Sequence, residues 1–358
     1  MPQRKSERLS DILRQQIISG QVASGNKIDS ENELCVKYNV SRQVVRQAID
    51  ILRKEGLLET VRGSGTYVTG GLNPENSTTG ISVILPYDDD YIFGSFINGI
   101  HATLARYGYV MEMYITHNNR YEEETALNSI ICNSPAGIII DPAKSICPRL
   151  HAELYHIISE KKIPCVSINC RVPGLDFPVI TMDDVMAGRI ATKYLLSKGH
   201  TKIGFLCNSD ASPGQLRMKG YMCEMSDAGL SSEVVHTVYY SSEDEQDLFN
   251  GTFDQFILKR FEGCTAVICF NDRVAVRLIH LLDRYGIRVP DDVSVIGHDC
   301  SLMSEYVTPK LTTILHLKAD LGMIAAENLI RLIKNPRFDA NRIIEPRIIE
   351  RESVRELS

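Results

Sequence analysis

Short runs rich in isoleucine and valine alternate with amphipathic stretches over most of this chain of 358 residues. The runs lie at residues 81–85, 136–141, 164–169, 202–207, 265–270 and 293–299. Continuous apolar runs of this length are typical of strands buried on both faces, and the helical stretches between them supply the connections that parallel strands require. About 280 residues of this pattern predict an α/β fold with two lobes, each built on a doubly wound parallel sheet.

Polar and aromatic residues follow these runs at the positions where open α/β sheets bind their ligands, the carboxyl ends of the strands. They occupy Pro86–Phe93, Asp141–Lys144, Asn169, Asn271 and Asp299, and Arg217 lies on the helix that follows Cys207. A single Asp or Asn at a strand end is more often a helix cap or a turn residue. Five strand ends that carry such groups favour a cleft for a polyhydroxylated ligand instead.

Composition excludes several classes of protein. A hydrophobic content of 44% with 23% charged residues is typical of globular domains, and 358 residues are too many for one hydrophobic core. The N-terminal segment MPQRKSERLSDILRQQI lacks the apolar core of a signal peptide, and no run of about 18 apolar residues follows. We therefore expect a cytoplasmic protein that does not enter a membrane.

Metal, cofactor and catalytic signatures are missing from the sequence. The ten cysteines form no C-x-x-C motif, and the nine histidines form no pair with zinc-binding spacing. The sequence also contains no P-loop, G-x-S-x-G or H-E-x-x-H motif. We expect free thiols, no metal, no cofactor and no enzymatic activity. An enzyme and an exported sugar-binding transport component are the rival interpretations.

Residues 1–71 have a different pattern, that of three helices and a hairpin. Apolar residues at helical spacing over 9–17 predict the first helix, and Ser30 with Glu33 matches a capping box that begins the second. Ser41 caps a third helix, and residues 57–68 alternate as in a hairpin. This order of elements predicts a small winged helix-turn-helix domain that binds DNA.

The third helix carries Arg42, Gln43 and Arg46 on its outward face, where arginine can bond a guanine edge and glutamine an adenine edge. A solvated polar stripe is the alternative interpretation, but the helix-turn-helix order favours DNA contact. The hairpin turn contains Arg62 and Gly63, a basic residue beside a glycine that lets the backbone approach a phosphate or a minor groove.

The segment SENELCVKYNVSRQVVRQAIDILRKEGLLETVRGSGTYV resembles the DNA-binding head of the GntR family along its whole length. The resemblance implies that Arg42, Arg46 and the wing glycine contact the operator. Asp29 stands where the family often has proline, and Asn32 stands where it often has another polar or basic residue. Residues 72–79, with turn-forming composition and no apolar period, are predicted to be a linker.

Residues 80–358 look like the effector domain of LacI/GalR-type repressors, which is similar to periplasmic sugar-binding proteins. The motifs that carry this resemblance are SINC, TMDDVMAGRIATKYLLSKGHTKIGFL, QLRMKGY, ICFNDRVAV, VPDDVSVIGHD and PKLTTILHLKADLG. The resemblance implies that Asn169, Arg217, Asn271 and Asp299 hold sugar hydroxyls and that Asp183–Asp184 caps a helix. His298 departs from the family, where tyrosine is common.

The segments DYIF, PAKS, DDV, LLSKGH and LTTILH also resemble the arabinose repressors of Gram-positive bacteria. This resemblance implies L-arabinose as the effector, with Tyr91 or Phe93 stacking on the pentose and with Lys144 and His316 among the contacts. It also implies that the protein leaves its operator DNA when the sugar binds. Because one short helix and one wing contact too few bases, we expect a homodimer on an inverted-repeat operator. A different pentose or hexose, or a ligand that acts as co-repressor, remains the alternative.

Overall fold

The computed structural model describes residues 5–18, 21–22, 25–54, 57–61, 64–68, 79–89, 91–147, 151–172, 174–231 and 236–357. The predicted linker at 72–79 lies outside these residues except for Thr79, and so do the predicted wing residues Arg62 and Gly63. Among the described residues, no helix has the length and apolar character needed to cross a membrane.

The N-terminal head has the predicted winged helix-turn-helix order. Its elements are α1 (Lys5–Ile18), α2 (Glu31–Tyr38), α3 (Arg42–Lys54), β1 (Leu58–Val61) and β2 (Gly65–Val68). The capping box before α2 is confirmed, because the Ser30 hydroxyl accepts from the Glu33 amide at 3.4 Å and Glu33 accepts from the Ser30 amide at 2.7 Å. The apolar faces of the three helices and the hairpin enclose a small core around Leu34, Val45 and Leu52.

The first lobe begins with five parallel strands and three helices. These are β3 (Gly80–Leu85), α4 (Phe93–Arg106), β4 (Val110–Ile115), α5 (Arg120–Asn133), β5 (Gly137–Ile140), α6 (Ala152–Glu160), β6 (Cys165–Ile168) and β7 (Val179–Met182). The second lobe repeats the plan with α7 (Asp184–Ser197), β8 (Ile203–Asn208), α8 (Ser212–Asp227), β9 (Thr237–Tyr240), α9 (Asp254–Arg260), β10 (Ala266–Cys269), α10 (Asp272–Arg284), β11 (Ser294–Asp299), α11 (Met303–Tyr306) and β12 (Thr312–Leu315).

The chain crosses between the lobes three times. After β7 it enters the second lobe at α7, and after β12 it returns to the first lobe as α12 (Lys318–Lys334), which packs on α4. Strand β13 (Arg342–Ile344) then pairs with β7, and β14 (Arg347–Ile349) pairs with β12 in the second lobe. Two lobes joined by three short segments can rotate relative to each other, as hinged domains do.

The two sheets have equivalent strand orders, β13-β7-β6-β5-β3-β4 and β14-β12-β11-β10-β8-β9. Every pairing in the first sheet is parallel, and in the second sheet only the β12–β14 pairing is antiparallel. The order reverses between β3 and β5 in one lobe and between β8 and β10 in the other. Ligands of open α/β sheets bind at such switch points. Each lobe has one switch point, and the fold places the two switch points opposite each other.

Glycines permit the closest helix contacts in both lobes. A methyl group on Gly188 of α7 would lie 2.0 Å from the backbone oxygen of Arg217 in α8, and one on Gly322 of α12 would lie 2.3 Å from that of Phe96 in α4. Side chains at these positions would separate the helices. The helices that enter each lobe after a crossing, α7 and α12, are thus held tightly against their neighbours.

Candidate functional site: an interlobe cleft and the recognition helix

A cavity lies between the lobes at the two switch points. The loops after β3, β5, β8 and β10 all contribute to it, as the strand orders require. Its lining combines aromatic rings, amides, carboxylates and guanidinium groups, among them Tyr87, Asp89, Tyr91, Phe93, Asp141, Asn169, Asn208, Arg217, Glu245, Phe270, Asn271, Arg273, Asp299 and His316. Such a mixture suits a ligand that presents both apolar faces and many hydroxyls.

Eight of the nine ligand-binding residues predicted from the sequence line this cavity: Tyr91, Phe93, Asp141, Asn169, Arg217, Asn271, Asp299 and His316. Lys144 is the exception. Its ammonium group lies 2.5 Å from the carboxylate of Glu243 in the opposite lobe, so it bridges the cleft and does not contribute to the lining.

Arg217 is the most constrained of these side chains. Its Nε donates to Asp184 Oδ1 at 2.8 Å and its Nη1 donates to the Phe270 carbonyl at 2.6 Å. Its Nη2 lies 3.9 Å from Asp299 Oδ1, which is beyond hydrogen-bonding distance. The guanidinium group also lies over the Phe270 ring, 5.1 Å from its centroid. Arg217 is therefore fixed in one orientation, with Nη2 directed toward Asp299.

The structure gives Asp183 and Asp184 different roles. Asp183 caps α7 as predicted, since its carboxylate accepts from the Met186 amide at 2.9 Å. Asp184 is instead buried and holds Arg217. Burial raises the pKa of Asp184, and the neighbouring charge of Arg217 opposes that rise. The sequence alone did not distinguish these two adjacent aspartates, because both are suitable caps at the start of α7.

Asp299 sits at the end of β11 with a backbone φ of 103°, a conformation that side-chain-bearing residues rarely adopt. Its Oδ2 accepts from the Tyr91 hydroxyl at 2.9 Å, and its backbone oxygen accepts from the Lys318 ammonium at 2.5 Å. Burial alone would raise the pKa of Asp299, but the charges of Arg217 and Lys318 outweigh it and hold the pKa below its usual value. Asp299 is therefore ionised at neutral pH.

His316 lies in the segment where the chain crosses from β12 to α12. Burial lowers the pKa of His316 to about 4, so its imidazole is neutral at physiological pH. Its buried Nδ1 has no hydrogen-bond partner in the part of the chain that the structure describes. A neutral imidazole in this position offers one more polar atom to a ligand.

The amides combine local and ligand-facing roles. Asn271 Oδ1 accepts from the Val274 amide at 2.9 Å and so caps α10, which is the structural role that the sequence left open. Asn169, with φ of 61°, donates from Nδ2 to Asp141 Oδ2 at 2.7 Å. Both residues are therefore oriented by their neighbours before any ligand arrives.

Direct contacts cross the cleft and join the lobes. Arg273 donates from Nη1 to Asp89 Oδ2 at 3.0 Å, its guanidinium lies 5.0 Å from the centroid of the Tyr91 ring, and its backbone amide donates to the Tyr91 hydroxyl at 3.2 Å. Within its own lobe, Arg273 Nε lies 2.9 Å from Glu245 Oε1. Sequence reasoning missed Arg273, although it lies only two residues after the predicted Asn271.

The outward face of α3, which is predicted to be the recognition face for DNA, is exposed to solvent. Gln43 is exposed, and the side chains of Arg42 and Arg46 are 59% and 64% exposed. The structure adds an acidic partner, because the Glu31 carboxylate at the start of α2 bonds to both arginines. The predicted wing contacts, Arg62 and Gly63, lie outside the described residues.

Comparison with protein families agrees with both units. Residues 5–68 match the family model described as bacterial regulatory proteins, gntR family, and residues 192–354 match the periplasmic binding protein-like domain. The chain is 33% identical over 355 residues to the arabinose metabolism transcriptional repressor of Halalkalibacterium halodurans, covering 96% of this chain and 95% of that protein. The chain belongs to this family of transcriptional repressors.

A second relative of the same name, from Geobacillus stearothermophilus, is 32% identical over 345 residues and covers 95% of each chain. Among solved structures, the transcription regulator CcpA of Lactococcus lactis superposes with a TM-score of 0.67 at 24% identity, covering 78% of this chain and 100% of that one. The repressor thus joins a GntR-type head to a LacI/GalR-type sensor, and the predicted fold class is confirmed. It is a sugar-responsive DNA-binding protein.

We predict that Asp184→Asn lowers the free energy of unfolding by about 3 kcal/mol, because it leaves the buried charge of Arg217 without its closest carboxylate. Chemical denaturation measures this loss. Asp183→Asn is the matched control, since asparagine still serves as an N-cap. Equal losses from the two substitutions would show that the pair formed by Arg217 and Asp184 does not support the cleft.

Proposed function

We propose that the repressor binds L-arabinose in the interlobe cleft and that the sugar lowers its affinity for operator DNA. The observation that carries the proposal is the set of fixed polar groups at both switch points, with Arg217 and Asp299 facing each other at 3.9 Å. The two relatives named as arabinose metabolism repressors support the choice of sugar.

The lining matches the chemistry of a small sugar. Asp299 is an ionised acceptor and Arg217 offers a forked donor, so together they can bond adjacent hydroxyls. Asp141 and Asn169 supply an acceptor and an amide from the first lobe. Tyr91 and Phe93 supply aromatic faces against which the apolar face of a pyranose packs.

Closure of the lobes is the step that the sugar controls. A ligand held by Asp141 of one lobe and Asp299 of the other favours one relative orientation of the lobes, and this changes the spacing of the two heads in a dimer. An effector can shift such an equilibrium only by its difference in affinity for the two states. Typical couplings are about 1–3 kcal/mol, which corresponds to a fall in operator affinity of roughly 5- to 150-fold.

The repressor acts in the cytoplasm, where α3 and the wing bind the operator DNA. Arg42, Gln43 and Arg46 face outward along one side of α3 and fit the edge of bases in a major groove. Arg62 and Gly63 of the wing are proposed to contact the backbone or the minor groove.

We predict that L-arabinose releases heat on binding and lowers operator affinity in gel shift, more than D-xylose, D-ribose or D-galactose. Asp299→Asn should bind the operator normally and lose the sugar response, because its neutral amide is a poor acceptor opposite Arg217. Calorimetry and gel shift with each sugar measure the two steps separately.

Calorimetry and gel shift test the ligand, the release mechanism and the role of Asp299 separately. If no pentose releases heat, the ligand assignment is wrong. If L-arabinose binds but operator affinity stays constant, the release mechanism is wrong. If operator affinity rises, the sugar acts as a co-repressor. Loss of operator binding by Asp299→Asn in the absence of sugar would mean that Asp299 is needed for folding rather than for the response.

Arg42→Ala and Arg46→Ala should each weaken operator binding by about 1–3 kcal/mol, because each removes a side chain that can bond a base edge with two donors. Arg53→Ala is the control, since Arg53 is exposed at the far end of α3 and pairs with Asp50 at 3.2 Å. Fluorescence anisotropy at fixed salt measures the affinities. Equal effects of all three substitutions would exclude specific reading by the start of α3.

We further propose that the repressor is a homodimer on an inverted-repeat operator, because one short helix and one wing cover too few base pairs for specific binding. Leu302 and Tyr306 in the second lobe are 71% and 82% exposed, as apolar residues of an interface are in a separated protomer. Analytical ultracentrifugation is expected to show a dimer. A monomer that binds a single half-site with full affinity would contradict this assignment.

A further inference from the structure

Glu31 is the first residue of α2 and touches both arginines of the proposed recognition face. Its Oε1 and Oε2 accept from Arg46 Nε at 3.0 and 3.1 Å, and its Oε2 also accepts from Arg42 Nε at 3.2 Å. The two arginines are four residues apart on α3, so they project from the same side and one carboxylate can reach both. The helix-turn-helix angle brings Glu31 to that side.

Both arginines are held by the same atom, Nε, at the side of the guanidinium group. Within the described residues, the terminal nitrogens Nη1 and Nη2 of Arg42 and Arg46 have no hydrogen-bond partner. A guanidinium group that grips a guanine edge end-on uses those two terminal nitrogens. The contact with Glu31 therefore leaves free the atoms that read a base.

We propose that Glu31 is a positioning residue that fixes Arg42 and Arg46 in a base-reading orientation and lowers their affinity for phosphate. This inference rests on the proposed reading of operator DNA by α3. It concerns specificity: Glu31 touches no base itself, but it decides how well the two arginines distinguish the operator from other DNA.

Two physical effects support this role. An arginine side chain has many rotamers, and a partner that holds it before binding reduces the entropy lost when it meets a base. A carboxylate beside the arginines also offsets part of their charge, so nonspecific attraction to the DNA backbone is weaker. The hydrogen bond from Arg46 lowers the pKa of Glu31, so the carboxylate is ionised at physiological pH.

Glu33 provides a matched control on the same turn of α2. It carries the same charge at the same helix N-terminus, but its carboxylate accepts from the Ser30 amide and bonds to neither arginine. Glutamine can replace glutamate in a capping box, so Glu33→Gln removes the charge with little effect on the helix. Glu31→Gln and Glu33→Gln therefore differ mainly in the loss of the arginine contact.

The test compares affinities of the full-length protein for operator and scrambled duplexes over a range of salt concentrations. We expect Glu31→Gln to lower the ratio of operator affinity to scrambled-DNA affinity by about tenfold. This is the change in affinity expected when one charge-assisted hydrogen bond is weakened. Its salt slope on scrambled DNA should steepen by about 0.9 if the released arginines neutralise one more phosphate. Glu33→Gln should change neither quantity by a comparable amount.

A double-mutant cycle separates positioning from a structural effect. In an Arg42→Ala, Arg46→Ala background, Glu31→Gln should no longer change the affinity ratio, whereas a structural defect would persist. If Glu31→Gln matches Glu33→Gln in the wild-type background, the positioning role is overturned although α3 still reads DNA. If the wild-type protein does not prefer operator to scrambled DNA, both the inference and the proposed DNA reading fail.

Discussion

The buried ion pair between Arg217 and Asp184 supports much of the sensor's organisation. Asp184 begins α7 immediately after the chain crosses from the first lobe, and Arg217 lies on α8, which packs against α7 at Gly188. One contact therefore joins a crossing segment, a close helix pair and the ligand cleft. Since an unpaired charge in this place would be costly, the pair requires both helices to keep their positions.

The head contains a similar contact between an acid and arginine, but there the acid is partly exposed instead of buried. In the sensor a buried Asp184 holds Arg217 by Nε, and in the head a partly exposed Glu31 holds Arg42 and Arg46 by Nε. In each case at least one terminal nitrogen of the guanidinium group has no hydrogen-bond partner within the described residues. Because solvent screens the exposed contact, Glu31 affects orientation and specificity, whereas Asp184 also contributes to folding.

Much of the molecule was predictable from local pattern. The six Ile- and Val-rich runs became β3, β5, β6, β8, β10 and β11, which are the central strands and are buried on both faces. The strands without such a run lie mainly at sheet edges: β4 has exposed Val110 and Met113, and β13 has exposed Ile343. An edge strand faces solvent on part of its surface, so its sequence carries a weaker apolar signal.

The sequence by itself determined the capped helices of the head, the alternation that produces two doubly wound lobes, and eight cleft residues found at strand ends or through family resemblance. Those positions follow from chain order, because the carboxyl ends of parallel strands meet at one edge. Only the tertiary structure decided the pairings of Arg217 with Asp184, Arg273 with Asp89, Lys144 with Glu243, and Glu31 with the recognition arginines. These partners are 11 to 184 residues apart, and their contact depends on helix angles and lobe closure that no local pattern specifies.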